Sequence, residues 1–169
     1  MMEKKQITKA EYIKQFERDE EGSYKYTGPA VTMEEGWKRR SQKAFLILVL
    51  CLGLQIISGC LPAEVMKNTF YVILPFGAGI GAVLTGIYHL YEVYEQAPAV
   101  PEYIWQKHGQ AIGVCLSVHR ILCYVCAAGI LFYLLTHSVR IIPELVPAVL
   151  QTAAGLLSRK AETLTEKRI

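Results

Sequence analysis

Charge is missing from most of the middle of this chain. Between Ala44 and Leu61 (AFLILVLCLGLQIISGCL) there is no Asp, Glu, Lys or Arg, and between Phe70 and Leu90 (FYVILPFGAGIGAVLTGIYHL) only His89 interrupts the apolar run. Long polar intervals are missing too. Apart from an N-terminal polar tail of about forty residues, nothing between or beside the apolar stretches reaches the size of an ordinary soluble domain. Paired carboxylates and nucleophile–base constellations are likewise lacking in the apolar stretches, so no catalytic signature is present. Net charge is small at +3, and the basic residues flank the apolar runs rather than interleave with aromatics, which argues against nucleic-acid binding.

What remains is four apolar stretches, and these predict an all-α membrane protein with four transmembrane helices. The expected spans are about 44–61, 70–90, 112–135 and 141–157. Together with the segment from Met33 they form one membrane domain over 33–157, preceded by a tail over 1–32 and followed by a tail over 158–169. The third span starts either near Ala111 or just after Arg120. The fourth contains Glu144, Gln151 and two prolines, so it either crosses or lies in the interface.

Orientation follows from the cations. Ten Lys and Arg residues precede Ala44, one lies in the 92–110 loop and four follow Leu157, against Lys67 and Arg140 on the opposite face. The positive-inside rule then puts both termini and the central loop in the cytoplasm, with outer turns near Pro62–Asn68 and His137–Arg140. Lys38, Arg39, Arg40 and Lys43 abut the first span and suit anionic lipid, while Trp37 and Trp105 fall at cytoplasmic edges. A polar tail, a basic flank and four short spans match the plan of small bacterial plasma-membrane proteins.

Local signals predict more structure outside the spans. Thr8-Lys9-Ala10-Glu11 reads as a capping box, with Ile7 and Tyr12 as a staple, and predicts a short amphipathic helix carrying Ile13 and Phe16 and ending near Gly22. Thr32-Met33-Glu34-Glu35 is a second capping box, which starts the first long helix at Met33 and sets Glu34–Lys38 and Glu35–Arg39 at i,i+4. Ala97-Pro-Ala-Val-Pro101 is a tight break, so the second and third helices are expected to extend into the cytoplasm as a helical hairpin. Ile57-Ser58-Gly59-Cys60 fits the lipobox of bacterial lipoproteins. Another span opens about ten residues later, however, which favours a small-residue helix end over lipidation of Cys60.

The most chemical pattern lies in the third span. Cys115, His119, Cys123 and Cys126 recur at i, i+4, i+8 and i+11, within about 80° of arc on one helical face. Such a face could ligate a soft metal or a haem if a partner helix completed the set, and His89 is the histidine on offer. Thiols also pack as small hydrophobes between helices, and that reading predicts no cofactor and no disulfide. Arg120 and Glu144 are the charges within the spans. If the span begins at Ala111, Arg120 lies at depth, costs about 2.5–3.5 kcal/mol unless paired, and has Glu144 as the intramembrane carboxylate on offer; if it begins at Ile121, the favoured reading, Arg120 is a cytoplasmic flank against lipid phosphate. Glu144, one turn from Arg140, is expected at the headgroups or paired with it.

Gly77-Ala-Gly-Ile-Gly81 contains GxxxG, and Ala82 and Gly86 extend a small-residue ridge suited to packing on another helix of the same chain, the favoured reading, or to a homodimer contact. Pro75, Pro143 and Pro147 can kink their spans. Three functions follow in order of fit: a non-enzymatic accessory component that binds a membrane partner or a second copy of itself, an oligomeric small-solute or ion transporter subunit, and a redox protein using the Cys/His face.

Overall fold

The computed structural model describes residues 15–18, 21–22, 24–137 and 141–166. Four helices dominate: α1 (Trp37–Cys60), α3 (Phe70–Gln96), α4 (Glu102–Thr136) and α5 (Ile141–Thr165), each long and apolar enough to cross a membrane. A single turn, α2 (Val65–Asn68), links α1 to α3. Four short strands complete the described chain: β1 (Phe16–Arg18), β2 (Tyr24–Tyr26), β3 (Ala30–Thr32) and β4 (Ala99–Pro101). The chain is thus a multi-pass helical membrane protein. In the bundle α4 packs broadly on both α3 and α5, and α1 packs broadly on α5, whereas α1 meets α3 along a much thinner seam.

The buried positions explain this arrangement. On α1 they are Trp37, Ser41, Ala44, Leu48, Cys51, Gln55 and Ser58; on α5 they are Glu144, Pro147, Ala148, Gln151, Ala154, Gly155, Ser158, Ala161 and Thr165. The steps alternate between three and four residues, the spacing that keeps one stripe of a helix against its neighbour. Most of these side chains are small or polar. Many of the large aliphatics point the other way: Leu46, Leu50, Ile57, Leu74, Leu131 and Val149 are exposed, although Leu48, Leu90, Leu116 and Ile130 are buried. Such an inversion suits a bilayer, where leaving lipid gains an apolar side chain nothing and close backbone approach is what binds helices.

Both ends of the bundle are tied across helices. At one end β3 pairs antiparallel with β4, with Val31 opposite Val100, and the ladder is extended by the Met33 amide donating to the Pro98 carbonyl (2.9 Å) and the Glu102 amide to the Pro29 carbonyl (3.0 Å). Val100, Met33 and Trp37 are buried there with Leu90 and Val93 of α3. Outside this layer β1 pairs with β2, and the rings of Phe16, Tyr26 and Tyr103 contact one another at centroid distances of 5.1–6.0 Å.

At the other end Glu144 is 3 % exposed, and its two carboxylate oxygens accept the backbone amides of Glu64 (2.7 Å) and Val65 (3.1 Å). These amides belong to the cap and first residue of α2, donors that a one-turn helix leaves unpaired. An α5 side chain therefore fixes the loop between α1 and α3.

Several expectations need correction. Most of the predicted N-terminal helix, residues 1–14, lies outside the described residues, but Phe16 is extended in β1, where its ring joins the aromatic cluster. Helix α1 starts at Trp37 rather than Met33, because Thr32 is held in β3 and Gly36 takes the left-handed conformation (φ 80°) just before the helix. The expected Glu34–Lys38 spacing gives way to an Arg40–Glu34 ion pair (2.7 Å). Glu144 holds α2 instead of lying at the headgroups; Arg140, its expected partner, is outside the described residues. Residues 158–165 form the last turns of α5, with Ser158 and Ala161 buried, rather than a tail.

Replacing Glu144 with alanine leaves two amides of the α1–α3 loop without acceptors. We expect a loss of about 1–3 kcal/mol, measured as a lower unfolding midpoint in detergent, and faster amide exchange confined to Glu64–Asn68. An unchanged midpoint with unchanged exchange would show that the clamp contributes nothing.

Candidate functional site

Three polar constellations stand out in the helices. The most central links α1 and α4. Gln55 lies on the buried face of α1 and donates through Nε2 to the Cys123 sulfur (3.7 Å), which in turn lies 3.4 Å from His119 Nε2 one turn earlier on α4. None of the three is more than 1 % exposed. A thiol that donates to Nε2 leaves the imidazole proton on Nδ1, and that atom has no hydrogen-bond partner among the described residues. Gln55 Oε1 and Gln151 Oε1 are also unpartnered, although Gln151 Nε2 donates to Ser58 Oγ (3.3 Å).

A glycine stands opposite this chain. A Cβ on Gly79 would lie 2.9 Å from Gln55 Nε2, so α3 closes the third side by backbone.

The four-residue face predicted on α4 is divided by this packing. His119 and Cys123 are together. Cys126 turns toward α3, its sulfur 3.8 Å from the Val72 carbonyl, and the Cβ of Cys115 lies beside Gly86. Among the described residues no group of three or more His, Cys, Asp or Glu side chains is placed to hold a metal ion. The reason is axial: the residues share a face, but at about 1.5 Å per residue the ends of an eleven-residue run lie about 16 Å apart, too far to meet at one ion. His89 does not complete that set either. Its Nδ1 lies 2.9 Å from Nδ1 of His108, a second constellation near the Gln96 end of α3. His108 is buried because α4 makes a π-helical turn over Trp105–Gly109, which rotates the ring inward, and the Trp105 ring lies where a Cβ on Gly109 would be. Single π-turns of this kind concentrate at functional positions.

The third constellation pairs Arg120 with Glu162 of α5 at 2.5 Å, and the same carboxylate accepts the Ser117 hydroxyl (2.7 Å). Both charged side chains are about one-quarter exposed (26 % and 27 %). Arg120 is thus neither alone against lipid nor paired with Glu144, as the sequence spacing left open. The partner was missed because Glu162 had been assigned to a tail.

The glycines divide as well. Gly86 packs against Leu116 (3.2 Å to a built Cβ) and Gly79 against Gln55, whereas nothing lies within 4 Å of a Cβ built on Gly77 or Gly81. Ala82 is half-buried. The GxxxG pair therefore faces outward, contrary to the expectation that it packs within the chain. The residues that sequence reasoning overlooked, Gly79 and Gly155, share the three-and-four spacing of the buried seam; a Cβ on Gly155 would meet the Tyr124 ring at 2.8 Å.

No protein family, curated protein or solved structure matches this chain.

His119 and Cys123 resemble a base and a thiol in reach of one another; both are sealed inside the bundle, and among the described residues no carboxylate contacts the ring. The His89–His108 contact joins α3 to the π-helical turn of α4 and reports on their packing. In a double-mutant cycle of His89→Ala and His108→Ala, thermal unfolding should give a coupling of about 0.5–1.5 kcal/mol, the net worth of one hydrogen bond. Strictly additive losses would mean that the two rings are merely adjacent.

Proposed function

We propose that this chain is a non-enzymatic accessory protein of the plasma membrane that docks a transmembrane helix of a partner, or of a second copy, on the outward face of α3. The observation that carries this reading is the outward GxxxG. Gly77, Ala78 and Gly81 are all exposed, and a backbone can approach closely there, while the bundle already uses Gly79 and Gly86 on the opposite side for its own packing. A helix with small residues on two faces is suited to join two neighbours.

Both termini are read as cytoplasmic. Ten cations precede Ala44, and the basic flank of α1 suits the negative surface of the cytoplasmic leaflet. Within that flank Arg40 is engaged by Glu34, so Lys38, Arg39 and Lys43 are the residues left to meet anionic lipid. On this orientation β1–β4 and the α3–α4 connection form a small cytoplasmic cap.

The test uses a photo-crosslinking amino acid at Ala78 in the full chain expressed in cells. A discrete membrane-protein adduct, abolished by Gly77→Leu with Gly81→Leu, is expected. The two leucines should not lower the unfolding midpoint of the purified chain, since a Cβ at either position meets nothing within 4 Å and leucine is the better helix former. Absence of an adduct, or an adduct indifferent to the leucines, would overturn the reading.

A further inference from the structure

The thin seam between α1 and α3 opens into a groove of about 470 Å³, lined by Ser41, Gln42, Phe45, Leu46, Leu90, Tyr91 and Tyr94. This volume falls within the roughly 300–1,000 Å³ of ordinary ligand pockets. Its two ends differ in chemistry. Toward the middle of the bundle the wall is Phe45, Leu46 and Leu90, a hydrocarbon surface. Toward the start of α1 the wall becomes polar: Gln42 Nε2 donates to the Tyr94 hydroxyl (2.8 Å), and the Lys38 ammonium lies 5.1 Å from the Tyr94 ring centre. Between the two ends sits Ser41. Its residue is 1 % exposed, and its hydroxyl has no partner among the described residues.

We infer that this groove is a binding site for one anionic phospholipid, with an acyl chain against Phe45, Leu46 and Leu90 and the phosphate at Lys38. The geometry follows the amphiphile from end to end. An acyl chain meets apolar walls, the Ser41 hydroxyl donates to an oxygen where head group and chain join, and the ammonium of Lys38 stands one turn beyond Gln42 on the same face of α1. Arg39 and Lys43 are exposed on the flanking positions. Opposing them, Glu95 on α3 accepts the Tyr91 hydroxyl (3.0 Å), which holds that carboxylate on the Tyr91 side. Glu92 also lies beside Tyr91, so Lys38, Arg39 and Lys43 stand against two carboxylates on the α3 side, and this excess of cations favours a net negative head group over a zwitterionic one. The position in the fold also matters: α1 and α3 pack far less extensively than α1–α5, α3–α4 or α4–α5, which leaves room here for an amphiphile between two helices. This inference rests on the lipid contact in the functional reading above and is independent of the Gly77–Gly81 face.

Native mass spectrometry of the full chain released from detergent, titrated with phosphatidylglycerol, phosphatidylethanolamine or phosphatidylcholine of matched chains, tests it. One phosphatidylglycerol per chain should be retained in preference to the other two. Lys38→Glu should weaken retention by about tenfold or more, because it reverses the charge at the phosphate. Leu46→Trp, at a position 69 % exposed and therefore tolerant, should fill the groove and abolish retention. Ser41→Ala should weaken retention by about threefold to tenfold, the loss of one hydrogen bond. Equal retention of all three lipids overturns the anionic head-group assignment. Retention that falls with Lys38→Glu but is untouched by Leu46→Trp overturns the groove, while leaving the general attraction of the basic flank to anionic lipid in place.

Discussion

Everything in this molecule depends on how helices recognise one another where water is absent. In a soluble bundle the large aliphatics would be inside, since burying them removes apolar surface from water. In a bilayer that force disappears between helices, and contact is set by close backbone approach and by polar groups with nowhere else to bond. The buried stripes of α1 and α5 are built accordingly, from Ser41, Ala44, Gln55 and Ser58 on one and Gln151, Ala154, Gly155 and Ser158 on the other. Short hydrogen bonds across the seams then fix the register: Ser158 to the Leu116 carbonyl at 3.0 Å, Gln151 to Ser58 at 3.3 Å and Arg120 to Glu162 at 2.5 Å. Two of these three join α4 to α5, the other α1 to α5, so the last helix is the one against which the bundle is aligned.

The polar interior is only partly satisfied. Gln55, His119 and Gln151 each keep one polar atom without a partner among the described residues, and buried unpaired groups cost about 1–3 kcal/mol each. Fully matched alternatives would be easy to build from alanine and serine. Retaining an amide, an imidazole and a thiol in contact makes the α1–α4 crossing sensitive to the orientation of single side chains. This gives the centre of the bundle directional contacts, which a purely apolar seam would lack.

Much of this was legible in the sequence. The four spans follow from apolar runs that carry at most one charge each, and the break at Ala97–Pro101 follows from two prolines. What the sequence hid was facing. Hydropathy within a span is nearly uniform, so it does not say which side of α3 is inside, and GxxxG at Gly77 and Gly81 drew attention away from Gly79 and Gly86. The three-and-four spacing of Ser41, Ala44, Cys51, Gln55 and Ser58 carried the missing signal, because polar residues in a span face protein. Glu162 was hidden by context. A stretch rich in charge after the last apolar residue looks like solvated tail, yet its side facing α4 is Ser158, Ala161 and Thr165, which continue the buried stripe of the span. Glu144 was paired by sequence distance with a neighbour on its own helix, while its partners, the Glu64 and Val65 amides, are some eighty residues away (80 and 79).

The strand pair β3–β4 anchors the start of α1 to the connection between α3 and α4, and Glu144 anchors the α1–α3 loop to α5. Sliding α1 along α3 would break the ladder at one end or pull the loop off its clamp at the other. Widening the gap between their middles breaks neither. The two helices are therefore stitched at head and foot, so their register is set at the ends and the thin seam between them is spared that task.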